Sequence, residues 1–449
     1  MLGTEYNWLI SSQRQPGGVP QARLARGGLI TLAVAVFCFF CVALRAEPAH
    51  RVLLREAAAA AKANDTALVI AKLEAARALR PDYPRLHLNL ARLYAQQQRS
   101  DDAFRALGTL AGMGLVIPIA TDATFESMRT DARFSALVTA FAANAKSQGH
   151  ADETAWAVTD VTGIIESVAT HPVTLENFFG DVHNRCIWYR DVSGPSGVLK
   201  KFSAAGDGLL GVFALKFSSD GKILWASSSA LPEMAGYTSA DRGRGFLATY
   251  DLGTRKLIGT YSLPESEEGH VLGDFVIATD GTIYVSDSTA PIIWRLPPNG
   301  TKLEKWLEHG DFVSLQGLAF STDGRSLIVA DYANGLWRID TASRQPALLP
   351  APAGSTLFGI DGLYAVPGGL VAVQNGINPQ RIVRIACDAG GTPAKVEVLF
   401  SDHTAMSDVA LGQVINGHFN FIGNSGWALF EDPKAAPAPR DVIVLSTQL

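Results

Sequence analysis

The alternation of apolar and polar positions changes period twice along this chain of 449 residues. Residues 29–44 show no period at all: LITLAVAVFCFFCVAL runs without a charge, with Arg14, Arg23 and Arg26 before it and Arg45 closing it. A basic flank followed by such a run predicts an N-terminal apolar helix, acting as a single-pass membrane anchor or as a cleaved export signal, over residues 1–46. From residue 50 to about 147, apolar positions recur at helical spacing in a background of Ala, Leu, Arg and Gln. From about 155 to 449 the period drops to two. Residues 214–228 (ALKFSSDGKILWASS), 274–287 (DFVIATDGTIYVSD) and 317–331 (GLAFSTDGRSLIVAD) each place an Asp-Gly turn between two alternating runs, the pattern of an antiparallel hairpin. A third run follows several of these pairs, as in STAPIIWRL and YANGLWRID. Four-strand units recurring every ~40–50 residues predict propeller blades. First strands starting near Ile164, Val212, Asp274, Gly317, Asp361 and Val409 give six. The expected fold is mainly β: a six-bladed β-propeller behind a helical region and an apolar helix. Residues 155–160 and the final DVIVLSTQL are expected to close the ring together.

The helical stretch repeats at an offset of 34 residues. Ala91, Tyr94, Ala103 and Leu107 in the second unit match Ala57, Ala60, Val69 and Leu73 in the first, where Ala76 and Pro81 follow. Small residues at these places let two antiparallel helices approach, and proline stops the second helix. This stretch resembles tetratricopeptide (TPR) repeats, with residues 122–141 as a closing half-repeat. The resemblance implies a concave surface for a peptide or protein partner, or else a spacer between membrane and propeller.

Composition narrows the function. Net charge is −5 and the sequence pI about 6.0, so no basic face for nucleic acid is expected. The N-terminal segment is expected to place most of the chain outside the cytoplasm, membrane-anchored or secreted, on the periplasmic or extracellular side. Cys38 and Cys41 lie in the apolar run; Cys186 and Cys387 fall in blades one and five, which are not neighbours, so two unpaired, buried thiols are expected. No Cys/His cluster has zinc spacing.

Starts of first strands and ends of second strands gather at one mouth of such a ring. The first set includes Glu166, Asp274, Gln316, Asp361 and Asp408; the second includes Asp181, Asp287, Asp331 and Asn375. Clustered carboxylates repel unless a cation or shared protons neutralise them, and an all-oxygen set favours calcium among divalent ions. Asp287 and Asp331 also stand where aspartate caps a following turn. His183, His270 and His403 lie on segments leading to the same mouth.

With these residues in view, the blades resemble the gluconolactonase (regucalcin-like) family of sugar-lactone lactonases and, more loosely, NHL propellers. The resemblance implies divalent-metal ligands at Glu166 and Asp361, with Asp361 also a general base. Gly273–Asp274 and Gln316–Gly317 stand where that family has Asn ligands, leaving Asp274 and Gln316 as the remaining oxygen donors. The implied activity is cation-dependent hydrolysis of a small lactone or ester, with His270 as a further acid/base residue and His183, Asp287, Asp331, Asn375 and His403 around the substrate. The alternative is a non-catalytic TPR-plus-propeller binding or scaffold protein.

Overall fold

The computed structural model describes residues 47–149, 154–190, 197–264, 269–430, 432 and 437–449. The expected apolar helix of residues 1–46, with Cys38 and Cys41, lies outside the described residues. Among the described residues no helix is long and apolar enough to cross a membrane.

The chain divides into two units, 1–81 and 82–449, a division that falls inside the helical stretch. In the first unit α1 (Ala49–Lys62) packs on α2 (Thr66–Leu79), burying Ala57, Ala60, Val69, Leu73 and Ala76. Asp65 caps α2 by accepting the Leu68 N–H at 2.9 Å. In the second unit α3 (Pro84–Gln96) and α4 (Ser100–Gly112) form a like hairpin, with Ala91, Tyr94, Ala103 and Leu107 buried. A 3-10 turn (Ala123–Met128) and α5 (Ala132–Asn144) follow, capped by Asp122 and Asp131.

Six four-stranded antiparallel sheets make up the rest of the second unit. Each of blades one to five is a simple meander. Their innermost strands are Ile165–Thr170, Gly211–Phe217, Leu272–Ile277, Leu315–Phe320 and Ile360–Val366. Blade six starts with Gly412–Ile415, and innermost strands of successive blades touch all the way round, blade six meeting blade one. Thr154–Val161 pairs with Arg440–Gln448 as the outer strand of blade six, so the earliest strand of the ring is locked by the last. Apolar side chains fill the wedges between neighbouring sheets rather than the axis. Phe178, Val212 and Leu224 pack between blades one and two, and Val158, Val168 and Ile422 between blades six and one.

The Asp-Gly turns share one mechanism. Asp220, Asp280 and Asp323 each accept the backbone N–H two residues on, at 3.1, 2.8 and 3.0 Å, while Gly221, Gly281 and Gly324 take positive φ. A second recurring device sits at the far end of the second strand. Asp181, Asp287 and Asp331 accept the indole N–H of Trp188, Trp294 and Trp337 at 2.9, 3.1 and 3.2 Å, together with backbone N–H groups of the adjoining loops. Blade five replaces this clasp by Gln374 and Arg381, whose Nε donates to Gln374 Oε1 at 2.8 Å. The Arg381 guanidinium also donates to the Met113 carbonyl at 3.2 Å and fastens the α4–α5 segment to blade five. Val116 N–H to Asn378 O (2.8 Å), the Gln148–Ser401 bridge and the Tyr83–Phe358 stack (4.2 Å) complete that attachment. Cys186 and Cys387 are free thiols in blades one and five; Cys186 is buried, whereas Cys387, packed against the core cluster of blades four and five, is only half-buried, which corrects the expectation of two buried thiols.

Candidate active site at the propeller mouth

In blades one to five the innermost strand loses register with its neighbour at its first residues. The irregularities span Ile165/Ser167, Val212/Leu215, Leu272/Phe275, Leu315/Leu318 and Ile360/Leu363. Bulges re-aim side chains and leave backbone groups unpaired, and here they contain Glu166, Phe213, Asp274, Gln316 and Asp361. Serines from the second strand take up part of the freed backbone: Ser227 Oγ accepts from Ala214 N (2.9 Å) and Ser286 Oγ from Asp274 N (3.3 Å). Gly317 makes room for blade five, because a Cβ there would lie 2.3 Å from Leu363 N and 2.6 Å from Asp361 O. The five bulged residues line one cavity of about 370 Å³, which Tyr332, Asn375 and Trp427 help to wall.

The carboxylates are held differently. Glu166 is buried, and its Oε2 accepts the Trp427 indole N–H from blade six. Trp427 is itself placed by Asp408, which accepts the backbone N–H groups of Gly426 and Trp427 at 3.0 and 2.7 Å. Burial, then the negative charges of Asp361 and Asp408, push the Glu166 carboxyl well above the usual range, and the Trp427 bond only partly opposes this. Asp361 Oδ2 accepts from Asn375 Nδ2 at 2.8 Å. Burial raises its carboxyl to about 6; the Asn375 bond counteracts, and Asp274 and Asp408 add to the rise. Asp274 is buried and ion-paired: its Oδ1 lies 2.9 Å from Lys216 Nζ. Burial raises the Asp274 carboxyl and the Lys216 ammonium opposes that rise. Asp274 Oδ2 and Asn375 Oδ1 are buried acceptors with no hydrogen-bond partner.

Of the residues expected at the mouth, Glu166, Asp274, Gln316, Asp361 and Asn375 line the cavity; His183, His270, Asp287, Asp331 and His403 do not. His270 is buried with its Nδ1 2.6 Å from Asp287 Oδ2 and its ring edge-on to Trp294. That pair belongs to the blade-three clasp, as Asp331 belongs to that of blade four. His183 donates from Nδ1 to the Glu233 carbonyl at 2.7 Å and lies against Phe430. His403 Nδ1 accepts from Ala405 N at 3.1 Å, a local turn contact. Neither Lys216 nor Trp427 is among the residues expected at the mouth from the sequence. A lysine inside the otherwise apolar run GVFALKF is the signal that points to the first.

A divalent cation does not fit the four expected ligands as they stand. Every one of them already receives a donor. Glu166 takes the Trp427 indole, Asp361 the Asn375 amide and Asp274 the Lys216 ammonium. Gln316 Oε1 takes the Ser288 hydroxyl at 3.1 Å while its Nε2 donates to Ser314 Oγ at 3.0 Å. The space beside Gly273, where a blade-three side chain would project, is filled by Ser288: an added Cβ would stand 2.4 Å from its Oγ. No group of three His, Cys, Asp or Glu residues is drawn together tightly enough to hold an ion among the described residues.

No family model and no curated protein matches this chain. Among solved structures, it is similar to a putative gluconolactonase at 17% identity, over 68% of this chain and 99% of that one, TM-score 0.43. It is similar to regucalcin of Agrobacterium tumefaciens, described as a calcium-binding protein, at 15% identity over 68% and 95%, TM-score 0.43. It is also similar to virginiamycin B lyase of Staphylococcus aureus at 16% identity over 58% and 77%, TM-score 0.41. At these identities none of them transfers a residue role to this chain.

Proposed function

We propose that the mouth hydrolyses a small lactone or ester by paired-carboxyl acid–base catalysis, with Asp361 as base and Glu166 as acid. The observation that carries this is the unequal tuning of two carboxyls lining one cavity. Burial raises Asp361 to about 6, whereas burial and the charges of Asp361 and Asp408 push Glu166 well above the usual carboxylate range, so Glu166 is the more readily protonated of the two. Two carboxyls pushed apart in this way supply a base and an acid at the same pH. Asp361 takes a proton from water as the water oxygen bonds to the carbonyl carbon. The ring or ester C–O bond then breaks as Glu166 protonates the departing oxygen, leaving a hydroxy acid, or an acid and an alcohol. Asp274 Oδ2 and Asn375 Oδ1, lacking partners, suit the hydroxyl groups of a polar substrate, and Trp427 and Phe213 offer it apolar walls.

The test is a hydrolysis screen of the full chain on aliphatic and sugar lactones and short esters, with Asp361→Asn and Glu166→Gln as controls. Turnover lost by ~10²-fold or more in both variants is the expected result. Turnover absent across the panel, or retained in Asp361→Asn, overturns the proposal.

A further inference from the structure

Beside Asp274, which lines the cavity, stands a charge that neither the acid–base pair nor the expected metal accounts for. Lys216 stands on the innermost strand of blade two, three positions beyond Phe213. Its Nζ is 2.9 Å from Asp274 of blade three, 5.6 Å from the Phe275 ring centre and 5.4 Å from the ring centre of Tyr364 in blade five. Blades three and five are separated by blade four, so a side chain touching both reaches across the axis. The lysine side chain is only 21% exposed. Two aromatic faces and a carboxylate are the surroundings that stabilise a desolvated cation. Tyr364 is fixed in turn, its hydroxyl accepting the Gly412 N–H at 2.9 Å from blade six.

We infer that the Lys216 ammonium is the resident cation of this mouth, neutralising Asp274 where a divalent ion would otherwise sit, so that the site works without a metal. A calcium ion coordinated by Asp274 would lie a few ångströms from a positive charge, and that repulsion in a low-dielectric pocket opposes binding. The same ammonium offsets one of the carboxylates crowded at the mouth, which leaves Glu166 and Asp361 to share the remaining charge. The catalytic arm of this inference rests on the hydrolase reading; the cation-binding arm does not.

The test is thermal melting of the full chain in chelator and then through a calcium, magnesium and manganese titration, for the native protein, Lys216→Met and Lys216→Met/Asp274→Asn. The native melting temperature is expected to stay within a degree or so at every ion concentration. Lys216→Met should melt several degrees lower in chelator and recover saturably with calcium, since a bound ligand raises stability by RT ln(1 + [L]/Kd). The double variant should regain most of the loss and ignore calcium. Should Lys216→Met fail to fold while the double variant folds, an unpaired Asp274 is the cause and the inference stands. A saturable calcium shift in the native protein overturns it, as does a Lys216→Met protein that melts like the native one in chelator. If any hydrolysis found in the screen dies in chelator, the metal-free claim falls with the hydrolase reading intact; if no hydrolysis is found, the melting data still decide whether Lys216 fills a cation's place.

Discussion

Replacing Asp361 by Asn should make the protein inactive and more stable, with the gain confined to pH values where the carboxylate is charged. An aspartate whose carboxyl titrates near 6 when folded, against an ordinary 3.8, binds its proton more tightly in the native state than in the unfolded one. Native stability is therefore unpenalised below 3.8, falls as pH rises between the two values, and stays reduced above 6. The full penalty corresponds to about 3 kcal/mol, and sharing of charge with Glu166 brings the expected gain to about 1–3 kcal/mol. Asn is nearly isosteric and keeps an oxygen to accept the Asn375 amide, which sits 2.8 Å away. Urea unfolding midpoints at about pH 7.5 and about pH 4 measure the effect, because the linkage predicts a difference at the first and little at the second. Equal midpoints for native and Asp361→Asn protein at the higher pH, or a variant that is less stable there, would refute the assignment of Asp361 as a strained catalytic base.

Four further outcomes follow from the same geometry. The rate of hydrolysis should rise as pH passes through about 6, where Asp361 ionises, and fall again at the higher pH where Glu166 loses its proton; a pH–kcat/KM profile shows both limbs. Trp427→Phe removes the indole bond that holds the Glu166 carboxyl down, so the alkaline limb should move to higher pH while the acid limb stays. His270→Ala should lower stability by roughly 2–4 kcal/mol, since it strips a partner from buried Asp287, yet leave the specific activity of folded protein near native. Arg381→Met should loosen the α4–α5 segment, which limited proteolysis reads as cleavage within residues 113–122 before the propeller is cut.

The ring was legible because its information is local. Asp-Gly turns with alternating flanks, at 220–221, 280–281 and 323–324, give hairpins without any knowledge of what packs on them. The meeting of residues 155–160 with the final strand followed from needing a closed circle. The site was half legible. Glu166, Asp274, Gln316, Asp361 and Asn375 were placed together because strand starts and ends converge, and the structure puts all five on one cavity. Which neighbouring group satisfies a given carboxylate is a long-range matter. Asp287 and Asp331 carry the same local signature as a mouth residue but are consumed by Trp294 and Trp337 on the neighbouring third strands. The six- or seven-residue spacing of those Asp–Trp pairs was present in the sequence and marks them as structural. Lys216 was missed because alternation along a strand does not say which polar residue faces the axis of a ring.

The seam that closes the circle runs beside the proposed acid. Trp427, which steadies Glu166, belongs to blade six, and Arg440 at the start of the final strand donates to the Gly163 carbonyl just ahead of blade one, at 3.1 Å. Glu166 thus obtains its setting from residues more than 250 positions further along the chain. A nascent or nicked molecule with five blades assembled would hold this carboxyl group without the Trp427 indole, so under the proposed function its acid is set only once the last stretch of polypeptide zips into place.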